Sequence, residues 1–210
     1  LGMNNLVKIK TVPGKNTIDL DHLEELLQEF SSQNIPVVSV ICTMATTDAC
    51  AFDPVKKVRE LLNQYPNRAP YGKTFLYCDA VIGWAWLAFK EYDFNKNPLR
   101  LSQKVLHSAK KNLEAISEIE YADAFGVDFH KTFAPLTSSM FVYKNKEEFE
   151  QLLNREEAAY LQERGDYNPH QYTLEVSRNA SGSMAGWATL KYLGAEGIQS
   201  ILAHGLPNKN

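Results

Sequence analysis

The sequence predicts an α/β fold: a mostly parallel sheet with helices on both faces, in three layers. Two runs, residues 36–44 and 75–79, have the continuous apolar character of strands buried on both faces. The segment between them opens with Asp53-Pro54, a cap followed by a favoured first helical residue, and then carries apolar residues at helical spacing. Strand, helix, strand in this order forms a βαβ unit, and such units build parallel sheets.

Alternation and helical spacing predict the remaining elements. Residues 7–12 alternate like an edge strand, and residues 138–143 form a third strand. Helices are predicted at 20–30 after a cap at Asp19 or Asp21, at 101–116, at 146–164, from a cap at Ser181 to Gly194, and at 196–204. No domain boundary is indicated, so residues 1–210 are predicted to form a single α/β segment.

Composition argues against several functional classes. The 210 residues are 44% hydrophobic and 22% charged with a net charge of −3, and the basic residues are dispersed, so we expect no nucleic-acid partner. No apolar run approaches the roughly twenty residues that span a bilayer, so we expect no membrane insertion. Three cysteines, Cys42, Cys50 and Cys78, lack metal-ligand spacing. They are predicted to be free thiols in a reducing compartment, the cytoplasm.

Two residues indicate chemistry. Lys131 lies in the apolar segment 122–133, where burial disfavours the ammonium form and makes the amine a better nucleophile toward carbonyls. Asp79 ends a predicted strand, and ligands of parallel sheets bind beyond such ends, where Thr47 also falls. An amine and a carboxylate in this arrangement are what pyridoxal phosphate requires. Each also has an ordinary reading, as a surface lysine whose stem packs on apolar neighbours and as a turn or cap aspartate.

Four segments, taken together, carry a family resemblance. They are Thr-Met-Ala-Thr-Thr-Asp-Ala-Cys-Ala-Phe-Asp-Pro at 43–54, Tyr-Cys-Asp-Ala at 77–80, Ala-Asp-Ala-Phe-Gly-Val-Asp-Phe-His-Lys at 122–131 and Tyr-Thr-Leu-Glu-Val-Ser-Arg at 172–178. In content and order they resemble the pyridoxal-phosphate-dependent amino acid decarboxylases of group II, which include the aromatic amino acid, glutamate, tyrosine and diaminobutyrate enzymes. The resemblance implies the large domain of fold-type-I pyridoxal-phosphate enzymes. It also implies that this segment is the C-terminal part of that domain, without the N-terminal part and the small C-terminal domain.

The resemblance implies a role for each matching residue. Lys131 attaches the aldehyde of pyridoxal 5'-phosphate covalently, and Asp79 keeps the pyridine nitrogen protonated so that the ring withdraws electrons from the substrate. His130 bonds the cofactor phosphate, and Thr47 contacts the cofactor from the loop after the first strand. A satisfied core histidine is the alternative for His130.

Five further positions belong to the implied site or depart from the family pattern. Asp128 and Val81 join the cofactor-binding set, although relatives carry Asn and a smaller alanine there, and glycine is common where Ala45 stands. Tyr160 matches a tyrosine that protonates the substrate carbanion, and Arg178 matches an arginine of the site architecture. Helical packing for Tyr160 and a plain salt bridge for Arg178 are the alternatives.

The implied activity is decarboxylation of an L-amino acid to an amine and carbon dioxide, by a parent protein that forms a homodimer. Another reaction of the same cofactor, transamination or carbon–carbon lysis, stays open, because fold does not fix function. A non-catalytic segment that serves packing or dimerisation is the third possibility. The substrate amino acid is not indicated.

Overall fold

The computed structural model describes Gly2, residues 5–153 and residues 179–206. Its sheet has four strands: β1 Ser39–Thr43, β2 Phe75–Asp79, β3 Ala124–Asp128 and β4 Ser139–Tyr143. They are ordered β1-β2-β3-β4, with β1, β2 and β3 parallel and β4 antiparallel to β3. The mostly parallel α/β sheet is therefore confirmed. The predicted third strand is β4, however, and β3 was not predicted.

Within the described residues, five helices and two 3-10 segments connect and cover the strands. The helices are α1 Leu20–Ser32, α2 Val55–Gln64, α3 Gln103–Ser117, α4 Lys146–Leu153 and α5 Ser181–Gly205, and the 3-10 segments are Gly83–Phe89 and Glu118–Tyr121. The two helices predicted near the end of the chain are the halves of α5, which kinks where Gly194 leaves the helical region at φ 59° and ψ −172°. Residues 154–164 of the fourth predicted helix lie outside the described residues.

Helix starts follow the predicted chemistry at only some positions. Asp19 caps α1, because its carboxylate accepts two backbone N–H bonds of the first turn at 3.1 and 3.2 Å. The prediction for Asp53 is wrong: its carboxylate accepts from the backbone N–H groups of Ile18 and Thr43, both at 2.7 Å, and so ties β1 to the chain before α1. Ser181 is not a cap either, since α5 begins with it and has no side-chain cap.

The two faces of the sheet differ. One face, with Val40 and Leu76, shares a buried core with α1, α2 and α3. The other face carries Ile41 at 62% and Phe141 at 55% exposure, so the predicted burial of β1 on both faces is wrong. The described residues cover this second face only in part, and the third layer stays a prediction. The predicted edge strand at 7–12 is also wrong, because within the described part of that segment only one isolated bridge forms, at Thr11.

The parallel strands bring three segments to one edge of the sheet. β1, β2 and β3 end at Thr43, Asp79 and Asp128, and their carboxyl ends share that edge because the strands are parallel and adjacent. The segments that follow them, residues 44–53, 80–89 and 129–138, form the rim of the sheet where ligands of such folds bind. In the described part of the chain, no helix is both long and apolar enough to cross a membrane.

Candidate functional site

Lys131 lies in a tight turn just after β3. The carbonyl of Phe129 accepts the backbone N–H bonds of the three residues 132–134, at 3.3, 2.9 and 2.9 Å, which fixes this turn. The Lys131 Nζ lies 3.1 Å from Oδ2 of Asp128, and 43% of the lysine side chain is exposed. The expectation of an amine buried in apolar surroundings is therefore wrong. The ammonium is instead held by a carboxylate three residues earlier in the chain.

Asp128 is the centre of a small polar cluster. It accepts a hydrogen bond at 2.5 Å from the hydroxyl of Ser139, which lies opposite it on β4, and its Oδ2 is 3.8 Å from Nε2 of His130. Burial alone would raise the pKa of Asp128, but the hydrogen bonds from Ser139 and Lys131 and the nearby positive charges outweigh it and lower the pKa. Asp128 is thus an anion at neutral pH, and it fixes where the lysine amine stands.

His130 is oriented by the strand that follows it. Its Nδ1 lies 3.0 Å from the carbonyl oxygen of Ser138 and 3.2 Å from the backbone nitrogen of the same residue. Because Nδ1 is engaged by the backbone, Nε2, which lies 3.8 Å from Oδ2 of Asp128, is the nitrogen left for a further partner. A bond to a phosphate group, as predicted for this histidine, would use that atom.

Asp79 ends β2 in the same row of the sheet as Thr43 of β1 and Gly126 of β3. One carboxylate oxygen, Oδ1, accepts the backbone N–H of Val81 at 3.2 Å. The other oxygen has no hydrogen-bond partner among the described residues. A carboxylate with one oxygen anchored and one available can bind a protonated ring nitrogen, and Val81 contributes the anchor through its backbone.

The loop after β1 is fastened beside Asp79. The N–H of Met44 donates to the Asp79 carbonyl at 2.7 Å, and the N–H groups of Ala45 and Thr46 both donate to the carbonyl of Ala51 at 3.0 Å. Ala45 adopts φ 79°, in the left-handed region that glycine occupies without steric cost. Thr47 follows this hydrogen-bonded part of the loop and is exposed at the rim, where the sequence predicted it.

Gly83 and Trp84, in the 3-10 segment that follows β2, connect the three segments of the rim. An added Cβ at Gly83 would overlap the Met44 carbonyl, so only glycine permits this approach of the 3-10 segment to the loop after β1. The indole N–H of Trp84 donates to the Asp128 carbonyl at 3.1 Å, and its ring packs edge-on against Phe129 at 5.2 Å between centroids. Sequence reasoning missed Trp84. Its signal was the Gly-Trp-Ala-Trp run directly after the Asp79 strand.

Comparison with known proteins identifies the family. Residues 1–208 match the pyridoxal-dependent decarboxylase conserved domain. The chain belongs to this family. It is 26% identical to the L-2,4-diaminobutyrate decarboxylase of Acinetobacter baumannii over 204 residues, which cover 94% of this chain and 34% of that protein. It is also 26% identical to the L-tyrosine decarboxylase of Enterococcus faecium over 165 residues, 70% of this chain and 25% of that protein.

This decarboxylase-family chain spans about a third of the length of the first curated relatives it matches. Its fold is that of solved pyridoxal-phosphate decarboxylases. Oryza sativa TDC with PLP and tryptamine superposes with a TM-score of 0.70 at 16% identity, over 95% of this chain and 36% of that one. Catharanthus roseus tryptophan decarboxylase in complex with L-tryptophan gives 0.65 at 16% identity, over 91% and 33%.

The side chains at the rim fit the family's cofactor. Lys131 offers an amine for the aldehyde, Asp79 offers a carboxylate oxygen that has no partner among the described residues, and His130 offers Nε2 for an anionic group. Six of the predicted site residues thus lie at this edge of the sheet: Thr47, Val81, His130 and Lys131 in the rim segments, and Asp79 and Asp128 at the strand ends. Two others, Tyr160 and Arg178, lie outside the described residues, so their roles stay predictions.

Tyr77 is a second residue that sequence reasoning missed. It lies on β2 two residues before Asp79, and an added Cβ at Gly126 would overlap its hydroxyl group. Burial and the charge of Asp79, with smaller contributions from Cys78 and Asp128, raise the pKa of this phenol. The signal was its spacing, because alternate residues of a strand share one face. Its proximity to Gly126 depends on β3, which was not predicted.

Proposed function

We propose that the whole protein decarboxylates an L-amino acid to an amine and carbon dioxide with pyridoxal 5'-phosphate. One observation carries this proposal: an amine, Lys131, held 3.1 Å from Asp128 at the same sheet edge as Asp79, whose second carboxylate oxygen has no partner in the described part of the chain. When bound, the cofactor supplies an electron sink for the bond that breaks at the substrate Cα. The relatives that this chain matches are decarboxylases of several amino acids, which supports the reaction class and leaves the substrate open.

Each residue has a defined task in this proposal. Lys131 would hold the aldehyde group of the cofactor through its amine, and Asp128 would keep that amine near the reaction centre. Asp79 keeps a proton on the ring nitrogen, because an opposite charge within hydrogen-bonding distance favours the charged form. His130 binds the phosphate through Nε2. Tyr160 or Lys131 returns a proton to the substrate Cα after carbon dioxide leaves.

The remaining assignments are part of the same proposal. Thr47 and Val81 contact the cofactor from the rim, and Arg178 supports the architecture of the site. The family resemblance supports a homodimer. The buried thiols of Cys42 and Cys78 support a cytoplasmic location. Light scattering of the whole protein tests the dimer, and fractionation of the cells that produce it tests the compartment.

The decisive experiment replaces Lys131 in the whole protein. Lys131→Ala is expected to abolish both the absorbance band of lysine-bound cofactor and the release of carbon dioxide from all substrates. Lys110→Ala, the same change at an exposed position on α3, serves as the matched control and is expected to retain both. Carbon dioxide released by Lys131→Ala at the wild-type rate would refute the proposal.

The same assay separates the competing possibilities. Carbon dioxide and amine from the wild-type protein are the expected products, whereas a keto acid from the amino donor would indicate transamination instead. A wild-type protein that binds pyridoxal phosphate without forming the lysine-bound band would indicate a non-catalytic segment. Diaminobutyrate, tyrosine and aspartate are the first substrates to assay, because the relatives named for them are similar to this chain.

A further inference from the structure

Tyr77 extends from the middle of β2 toward the rim. Tyr77 and Asp79 are two residues apart on one strand, so their side chains lie on the same face of the sheet. In the strand pairing, Gly126 stands beside Asp79, two residues closer to the rim than Ala124, the partner of Tyr77. The Tyr77 hydroxyl occupies the space that a side chain at Gly126 would take. The Tyr77 hydroxyl therefore reaches the row of the sheet that contains Asp79 and Gly126.

The Tyr77 ring is fixed, while its hydroxyl has no hydrogen-bond partner among the described residues. The ring stacks on Phe141 of β4 with centroids 6.0 Å apart and an interplanar angle of 21°. One oxygen of Asp79 likewise has no partner in the described part of the chain. Burial, and after it the negative charge of Asp79, raise the pKa of Tyr77, so the phenol keeps its proton and is available as a donor.

We propose that Tyr77 is a positioning residue of this site, whose hydroxyl donates a hydrogen bond to the Asp79 carboxylate while that carboxylate holds the ring nitrogen of bound cofactor. This inference rests on the proposed function. A hydrogen bond to the ionised form of a carboxylate favours that form. Tyr77 thus keeps the shared proton on the cofactor nitrogen and off Asp79, which preserves the positive charge that makes the ring an electron sink.

The test compares two tyrosine variants of the whole protein. Tyr77→Phe removes the hydroxyl and leaves the ring stacked on Phe141. Tyr143→Phe is the matched control, because Tyr143 stacks on Phe75 at 5.4 Å on the same face and pairs with Ala124, at the opposite end of β3 from the rim. The readouts are the nitrogen-15 resonance of ring-labelled pyridoxal phosphate bound to each protein, and the separate values of kcat and KM.

Tyr77→Phe is expected to move the ring-nitrogen resonance toward the position of unprotonated pyridine. It should lower kcat roughly tenfold, in line with the loss of a hydrogen bond to a charged group, with KM nearly unchanged. Tyr143→Phe should match the wild type in both. A Tyr77→Phe protein with the wild-type resonance and kcat would overturn the inference, as would an equal change in both variants.

A second substitution keeps the inference testable if Tyr77→Phe does not fold. Fluorotyrosine at position 77 retains the phenol and makes it a stronger donor, so the resonance is expected to move in the opposite direction. An unmoved resonance would overturn the inference. A wild-type protein without the lysine-bound band would refute the proposed function itself, and this outcome is distinguishable because it appears before any substitution at Tyr77.

Discussion

The Asp123 carboxylate joins β3 to β2 and α2 at the end of the sheet opposite the rim, and its removal should be costly. It accepts hydrogen bonds from Arg59 at 2.6 Å, from the Leu76 backbone N–H at 2.8 Å and from Lys73 at 3.1 Å. Asp123→Ala leaves the guanidinium, with a side chain only 16% exposed, without its counter-charge. Breaking a largely buried pair from one side costs about 3–5 kcal/mol. Lys73, whose side chain is 57% exposed, adds little.

The pH dependence of this loss identifies its cause. Burial alone would raise the pKa of Asp123, but the hydrogen bonds from Leu76, Arg59 and Lys73 outweigh it and lower the pKa. A carboxylate whose pKa is lowered by folding stabilises the fold above the pKa of the unfolded chain. That contribution is lost as pH falls through the folded-state value. The stability gap between wild type and Asp123→Ala should therefore be full at pH 7 and narrow as the pH falls below about 4.

Denaturant unfolding of the whole protein at a series of pH values measures this gap. Asp48→Ala, the same change at an exposed loop position, is the control and should stay within about 0.5 kcal/mol of wild type. A gap below about 1 kcal/mol at pH 7 would contradict the prediction, because it would show that loss of the Asp123 carboxylate destabilises the fold less than one-sided removal of a buried pair. A gap that does not change with pH would show that the carboxylate charge is not its source.

Two further substitutions probe the loop beside Asp79. Ala45→Gly should raise the free energy of unfolding by about 0.5–1 kcal/mol. The reason is that the steric cost of alanine at φ 79°, which glycine does not have, exceeds the extra conformational entropy that glycine loses on folding. An unchanged denaturation midpoint would contradict this. Gly83→Ala should lower it by about 1–3 kcal/mol, because the new Cβ meets the Met44 carbonyl, and should weaken pyridoxal phosphate binding in a fluorescence titration. Wild-type affinity in a folded Gly83→Ala protein would show that this contact does not shape the site.

Much of the frame could be predicted from local sequence. β2 was predicted at its observed bounds, and α1 was predicted with a cap at Asp19 or Asp21, of which Asp19 is the observed one, because apolar runs and capping residues act over a few neighbouring positions. β3 was missed because Ala124–Asp128 contains a glycine, which weakens a strand pattern. The role of the Asp53 carboxylate was mispredicted for a different reason: it accepts a hydrogen bond from Ile18, which is 35 residues away in the chain.

The features of the site also differ in whether local sequence or distant contacts determine them. Thr47 and Asp79 could be predicted to share an edge, because parallel strands end together, whereas Lys131 was assigned to the same site only by the family resemblance. The ion pair of Lys131 with Asp128 could not, since it depends on the turn geometry after a strand that was not recognised. The contact of Tyr77 with Gly126 depends on register as well. A slip of β3 by one residue would bring Phe125 beside Asp79 and reverse the face of every β3 side chain, so the space for the phenol exists only in the observed pairing.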